Sequence, residues 1–224
     1  MVPEGGINLE VTVQDKRTHE PMEGAKVKIT NLTTTKDEIC MTNKDGKCMF
    51  SLDPNTNYRI EGSKETGEPD TKYLTVTATQ STIGKKAPTT LYTLLELEKV
   101  KKGVAIKVEN IYYDLDKWFI RPDAAKELDK LVKILKDNPT LEIELSSHTD
   151  CRATAKYNMQ LSSKRAESCV NYIASQGVDG RRMIAAGYGE SRLINKCQCE
   201  GEMAVPCTDT EHQENRRTEF KILK

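Results

Sequence analysis

From Ile7 to about Leu97 the strand-forming side chains fall at alternate positions: Ile7, Leu9, Val11 and Val13, then Val27 and Ile29, then Tyr73, Thr75 and Thr77. A period of two sends every second side chain to the same face, so this half of the chain is committed to sheet rather than helix. Turn chemistry interrupts the alternation at "EPMEGA", "TNKDGK" and "DPNTNY". The spacing predicts about six or seven short strands in a small β-sandwich. No convergent His, Asp or Glu cluster stands out there.

The rhythm changes after "ELEKVKKGVAIKVEN", a lysine-rich stretch with Gly103, which divides the chain into residues 1–100 and 101–224. "VAIKVENIYYDLD" reads as a strand and "RPDAAKELDKLVKILKDNP" as a helix, with Pro122 in its first turn and Asn138-Pro139 as its stop. Ala124, Leu128, Leu131, Val132 and Leu135 form its apolar stripe. A strand, "TLEIELSSH", and a second helix from about Ala153 to Gln176 follow, ended by Gly177. "RRMIAAGYG" and "NRRTEFKIL" add two strands, with a cysteine-bearing segment from Ser191 to Glu214 between them. The order βαβαββ predicts an α+β domain, a mixed sheet with helices on one side.

The formal net charge is zero and charges of both signs are interleaved, which argues against a general nucleic-acid or anionic-membrane binder. No apolar run reaches the roughly 18 residues of a membrane span. The start, "MVPEGGINLE", does not read as a signal peptide, so the chain is either cytosolic or a portion of a longer exported one.

Asp150 follows the end of a strand, where functional side chains are commonly presented. Asn158, Leu161 and Arg165 share one helix face, and side chains lean toward a helix's N-terminus, so Arg165 is expected to reach back toward Asp150. Geometry alone leaves two readings: a structural salt bridge, or a clamp in which Asp150 takes an ammonium and Arg165 a carboxylate. A catalytic reading of "HTDC", with Cys151 as nucleophile and His148 as base, is weaker, because Cys151 need not face His148 and nothing else assembles an oxyanion hole. The chain is therefore not expected to be an enzyme.

Seven cysteines are an odd number, so at least one has no partner in the chain. Cys169 lies on an apolar helical stripe, as a buried free thiol does. Cys197, Cys199, Cys207 and His212 offer a possible zinc set, but the C-x-C spacing is tighter than that of usual structural sites. Two disulfides among Cys151, Cys197, Cys199 and Cys207 are favoured, with three connectivities open. A Cys40–Cys48 bridge depends on register: if Thr42 faces Lys47 across the "TNKDGK" turn, Cys40 points away, whereas a loop centred on Lys44 brings the sulfurs together. Asp114, Asp116 and Asp123 lack the glycine and terminal glutamate of a calcium loop. No metal or cofactor is expected.

The run from "IYYDLDKWFIRPDAAKEL" through "SSHTD", "YNMQLSSKRA" and "GYGE" to the terminal "NRR" resembles the OmpA-like peptidoglycan-binding domain over about Val104 to Lys224. The resemblance implies non-covalent binding of the cell wall through stem-peptide diaminopimelate, with Asp150 and Arg165 at the positions of the family's aspartate and arginine. It also implies a pocket completed by the backbone around Asp114, Leu115 and Asp116 and by Thr149, Asn158 and Leu161, with Asn215, Arg216 and Arg217 in support. Leu115 stands where an aromatic is frequent, and the segment before "NRR" is lengthened. The first half resembles the carboxypeptidase regulatory-like, transthyretin-like sandwich modules. The pairing resembles the C-terminal half of outer-membrane-associated lipoproteins, among them the peptidoglycan-binding subunit of type IX secretion machinery. Periplasmic location, outer-membrane association and other envelope proteins as partners follow as expectations. The alternative is an interaction module that binds a partner's peptide terminus in the same cleft.

Overall fold

The computed structural model describes residues 5–108, 111, 113, 117–199 and 206–224. They fall into two compact units, Met1–Lys101 and Lys102–Lys224.

In the first unit β1 (Ile7–Asp15) lies between β4 (Lys47–Leu52) and β8 (Thr89–Leu97). A second sheet has the order β3 (Asp37–Met41), β2 (Lys26–Asn31), β5 (Asn57–Ser63), β7 (Val76–Ser81). The β1–β8 pairing is parallel and the others in these two sheets are antiparallel. Alternation does what the sequence requires of it: Leu9, Val11 and Val13 on β1, Val27 and Ile29 on β2 and Ile60 on β5 point into one core shared by both sheets. The described residues of this unit hold nine strands rather than six or seven. The additional pair, β6 (Thr71–Tyr73) and β9 (Lys99–Lys101), forms a short antiparallel ribbon, too short to show periodicity. It also splits the predicted Tyr73–Thr77 strand, because Leu74 is buried between β6 and β7.

Cys40 and Cys48 are bonded, but the hairpin register considered for them does not apply. Strand β3 pairs with β2 and β4 with β1, so the bridge ties the edge strands of two different sheets. The intervening turn is held by Asn43, whose Oδ1 accepts from the Asp45 and Lys47 amides. Gly46 is required at its end: φ is +70°, and a Cβ would lie 2.4 Å from the Val13 carbonyl oxygen.

The second unit runs β10 (Ala105–Val108), α1 (Pro122–Asp137), β11 (Ile143–His148), α2 (Ala155–Ser175), β12 (Met183–Gly189), α3 (Asp209–Asn215), β13 (Thr218–Ile222). Its sheet has the order β10-β13-β11-β12, with β11 and β12 parallel and β13 antiparallel to both neighbours. It is the predicted mixed sheet, with one correction: α3 interrupts the final ββ step. That helix has no apolar stripe. It is specified by a capping box, in which the Thr208 side chain accepts from the Glu211 amide and Glu211 reaches back to the Thr208 amide.

Helix α1 buries the predicted stripe and stops at Asn138, where the Arg182 guanidinium donates to the carbonyls of Leu135, Asn138 and Leu141. The first two are acceptors that a helix end leaves without intrahelical partners, and the third lies in the connection to β11. Helix α2 starts at Thr154, which accepts from the Tyr157 amide, and packs on β12. Gly187 sets how close that packing is: a Cβ there would stand 2.2 Å from the Ser163 amide nitrogen. This approach seats Arg165 and Asn158 beside the loop that leaves β11.

Candidate functional site

The loop after β11 is fixed from three sides. The Thr149 amide donates to the Gly189 carbonyl, and Asn158 Nδ2 donates to the carbonyls of Asp150 and Ala153 and to Glu190. Asn158 is thus a buried brace whose amide hydrogens hold the aspartate loop against α2. Asp150 is buried as well. Its Oδ2 accepts from Arg152 Nη2 at 2.9 Å, Arg152 Nε at 3.2 Å and Arg216 Nη1 at 2.5 Å, while Oδ1 accepts from the Arg152 amide at 3.2 Å. Burial pushes the Asp150 carboxyl up, but the bonds from Arg152 and Arg216 outweigh it and hold the group below the ordinary aspartate range.

Arg165 is also buried. Its Nε donates to the Lys117 carbonyl at 3.1 Å and its guanidinium lies 4.6 Å from the Tyr113 ring centre. The Tyr113 hydroxyl meets Cys169 Sγ at 3.1 Å, so the free thiol is a packed core group, and burial pushes it up to about 11. Asp150 and Arg165 do not pair with each other, contrary to the salt-bridge reading. They line one cleft of about 470 Å³, together with the predicted Thr149, Asn158, Leu161 and Arg216. Arg152, Gln213, Tyr113 and Tyr157 also line it and were not anticipated. Arg152 was identifiable only by its place two residues after Asp150. Asp114, Leu115 and Asp116 lie outside the described residues.

The three residues of "NRR" have separate tasks. Asn215 is fully buried and holds the preceding segment, accepting from the Ile194 amide and donating to Asn195. Arg216 reaches Asp150 and also donates to Gln213. Arg217 lies behind the cleft, where it donates to Glu219 at 2.7 Å and to the Arg192 carbonyl.

The cysteines of the nucleophile and zinc readings are engaged in disulfides. Cys151 is bonded to Cys199, so its sulfur is no thiol nucleophile, and Cys197 is bonded to Cys207. Cys197, Cys207 and Glu211 do converge, but two of the three are spent on that bond. Asp123 accepts from Arg121 and the Ala124 amide at the start of α1.

His148 is buried, stacked on Tyr188 with ring centres 5.4 Å apart, and its Nε2 is 3.5 Å from Glu219. Burial, then the charge of Arg217, pushes the imidazole down to about 4 against the opposing pull of Glu219. The unfolded chain binds this proton near pH 6.5 and the folded one does not. The resulting stability is complete above about pH 6.5 and is lost as pH falls toward 4. Thermal melts of the parent chain and His148→Gln are expected to diverge in slope across that window, by up to about 3 kcal/mol. Parallel profiles would show that His148 does not titrate this way.

The second unit is thus an α+β domain with a charged cleft where the chain leaves the end of a central strand. The OmpA family model matches residues 112–205, so this unit carries an OmpA-like domain. A peptidoglycan-associated lipoprotein of Brucella melitensis is 35% identical over 92 residues, which cover 41% of this chain and 55% of the relative. Outer membrane porin F of Pseudomonas fluorescens is 30% identical over 118 residues, covering 52% of this chain and 33% of that protein. Among solved structures, the peptidoglycan-associated lipoprotein of Burkholderia pseudomallei matches at 25% identity and a TM-score of 0.43, covering 50% of this chain and 87% of that one. The chain spans about half the length of the peptidoglycan-associated lipoproteins it matches.

Proposed function

We propose that the second unit binds peptidoglycan non-covalently, by gripping the diaminopimelate of the stem peptide between Asp150 and Arg165. The observation that carries this reading is their placement: a buried carboxylate and a buried guanidinium line one open cleft without pairing with each other. Diaminopimelate ends in an amine and a carboxylate on one carbon. Its ammonium meets Asp150 at Oδ1, which among the described residues receives only the Arg152 amide and keeps acceptor capacity. Its carboxylate meets the planar fork of Arg165. The names of several relatives, peptidoglycan-associated lipoproteins, support peptidoglycan as the polymer bound.

On this reading the chain is a binding protein rather than an enzyme. It sits in the periplasm and ties an outer-membrane-associated protein or complex to the wall. Among the described residues no helix is long and apolar enough to cross a membrane. The first unit, taken as a carboxypeptidase regulatory-like sandwich, acts as a spacer or a surface for other envelope proteins. A type IX secretion complex is the assembly that such a pairing of units fits.

Calorimetric titration with a diaminopimelate-containing muropeptide and its lysine-containing counterpart tests the grip. The lysine form lacks the side-chain carboxylate and is expected to bind at least about tenfold more weakly, a difference of roughly 1.4 kcal/mol. Equal binding would instead favour a cleft that reads a peptide terminus.

A further inference from the structure

Trp118 and Phe119 follow the residue whose carbonyl accepts from Arg165, and the cleft does not use them. Their rings are stacked, with centroids 5.5 Å apart and planes 28° from parallel. Lys164, the α2 residue next to Arg165, places its ammonium 4.2 Å from the Trp118 ring centre. The pair is therefore tied to the Arg165 end of the cleft twice, by the Lys117 carbonyl and by Lys164. Phe119 is 67% exposed, more than any other large apolar side chain described in the second unit. The chain is poor in aromatics, at 5%, and this is its one tryptophan beside one of its three phenylalanines. A half-buried indole stacked on an exposed phenyl ring, both held beside the Arg165 end of the cleft, is a surface able to receive another ring.

We propose that Trp118 and Phe119 form a stacking platform for an N-acetylhexosamine of the wall glycan, a subsite adjoining the stem-peptide cleft. The proposal rests on the reading of that cleft given above. Pyranose rings have an apolar face of C–H groups that lies flat on an aromatic ring, while their hydroxyls stay in water. Reach fits as well. Diaminopimelate is the third residue from the sugar, so on the order of 15 Å of extended peptide and side chain connects the glycan to the gripped carbon, and a bent stem peptide shortens that span. Trp118 and Phe119 stand one and two residues beyond Lys117, at most about 8 Å of chain. An anionic membrane is the poorer occupant, because interfacial binding needs a broad apolar face and this patch is a single ring pair.

Trp118 makes the test direct, since all indole fluorescence comes from the platform. The full chain and its Phe119→Ala variant are titrated with the stem tripeptide alone, the same tripeptide carrying its disaccharide, a peptide-free chitin tetrasaccharide, and phosphatidylglycerol vesicles. The disaccharide is expected to tighten binding roughly tenfold over the bare peptide. Phe119→Ala is expected to abolish that gain and leave the bare peptide unaffected. Equal affinities for the two peptides, a gain that survives Phe119→Ala, or a response to vesicles but not to glycan would each overturn the platform. If the bare peptide fails to bind while the tetrasaccharide perturbs Trp118, the stem-peptide reading falls and the platform stands; silence toward every ligand ends both.

Discussion

Asp150→Ala is expected to weaken binding of a diaminopimelate muropeptide by about 2–5 kcal/mol, from roughly 30-fold to several thousand-fold. Removing the carboxylate takes away the partner of the ligand's ammonium. It also leaves Arg152 and Arg216 as cations at the point where that ammonium must sit. Two favourable pairings are thereby exchanged for repulsion, which is why this substitution should exceed any other single change in the cleft. Asp150→Asn keeps the shape and an acceptor for the arginines while removing the charge, and should lose nearly as much affinity with a smaller effect on folding. Arg165→Ala is expected to fall in the same range. Titration calorimetry measures the loss, and a melt of each variant establishes that it is folded. Unchanged affinity in a folded Asp150→Asn protein would remove the grip from consideration.

The same site makes a statement about pH. Because the Asp150 carboxyl is held below the usual aspartate range, its contribution is present above about pH 3.9 and is lost only as pH falls through the lower folded value. The aspartate half of the grip therefore stays charged from neutral pH down to about pH 5.

How much of this was legible depended on whether local chemistry or distant packing decided the outcome. The α1 stripe and its stop at Asn138 are local, and they were readable. So was the face shared by Asn158, Leu161 and Arg165, which follows from helix geometry alone. Helix α3 was missed because attention to apolar periodicity overlooks a short polar helix, although T-x-x-E at Thr208 announced its start. The Cys40–Cys48 argument failed for another reason. It assumed that strands adjacent in sequence are adjacent in a sheet, whereas β3 and β4 belong to different sheets. Arg152 was invisible as a cleft residue because its bidentate hold on Asp150 depends on how the loop bends, and Asn158 fixes that bend from eight residues away. The same gap between sequence and packing left the pairing of four cysteines open.

That pairing sets the second large effect. Cys151–Cys199 spans 48 residues, against 10 for Cys197–Cys207 and 8 for Cys40–Cys48. Loop-closure entropy assigns roughly 4 kcal/mol to the first and about 2.5 kcal/mol to each of the others. Cys151 adjoins Asp150, and Cys199 belongs to the segment that leads to α3, which supplies Asp209 to Arg152 and precedes Arg216. A Cys151→Ser/Cys199→Ser double variant is therefore expected to lose on the order of 4 kcal/mol of second-unit stability, followed through Trp118 fluorescence, and to bind muropeptide more weakly. Cys40→Ser/Cys48→Ser should destabilise the first unit and leave muropeptide affinity unchanged, since neither residue belongs to the unit that holds the cleft. If the Cys151/Cys199 variant melts and binds like the parent chain, the long loop does not depend on that bridge, and its hold on the cleft comes from Cys197–Cys207, Asn215, Asn195 and the capping box of α3.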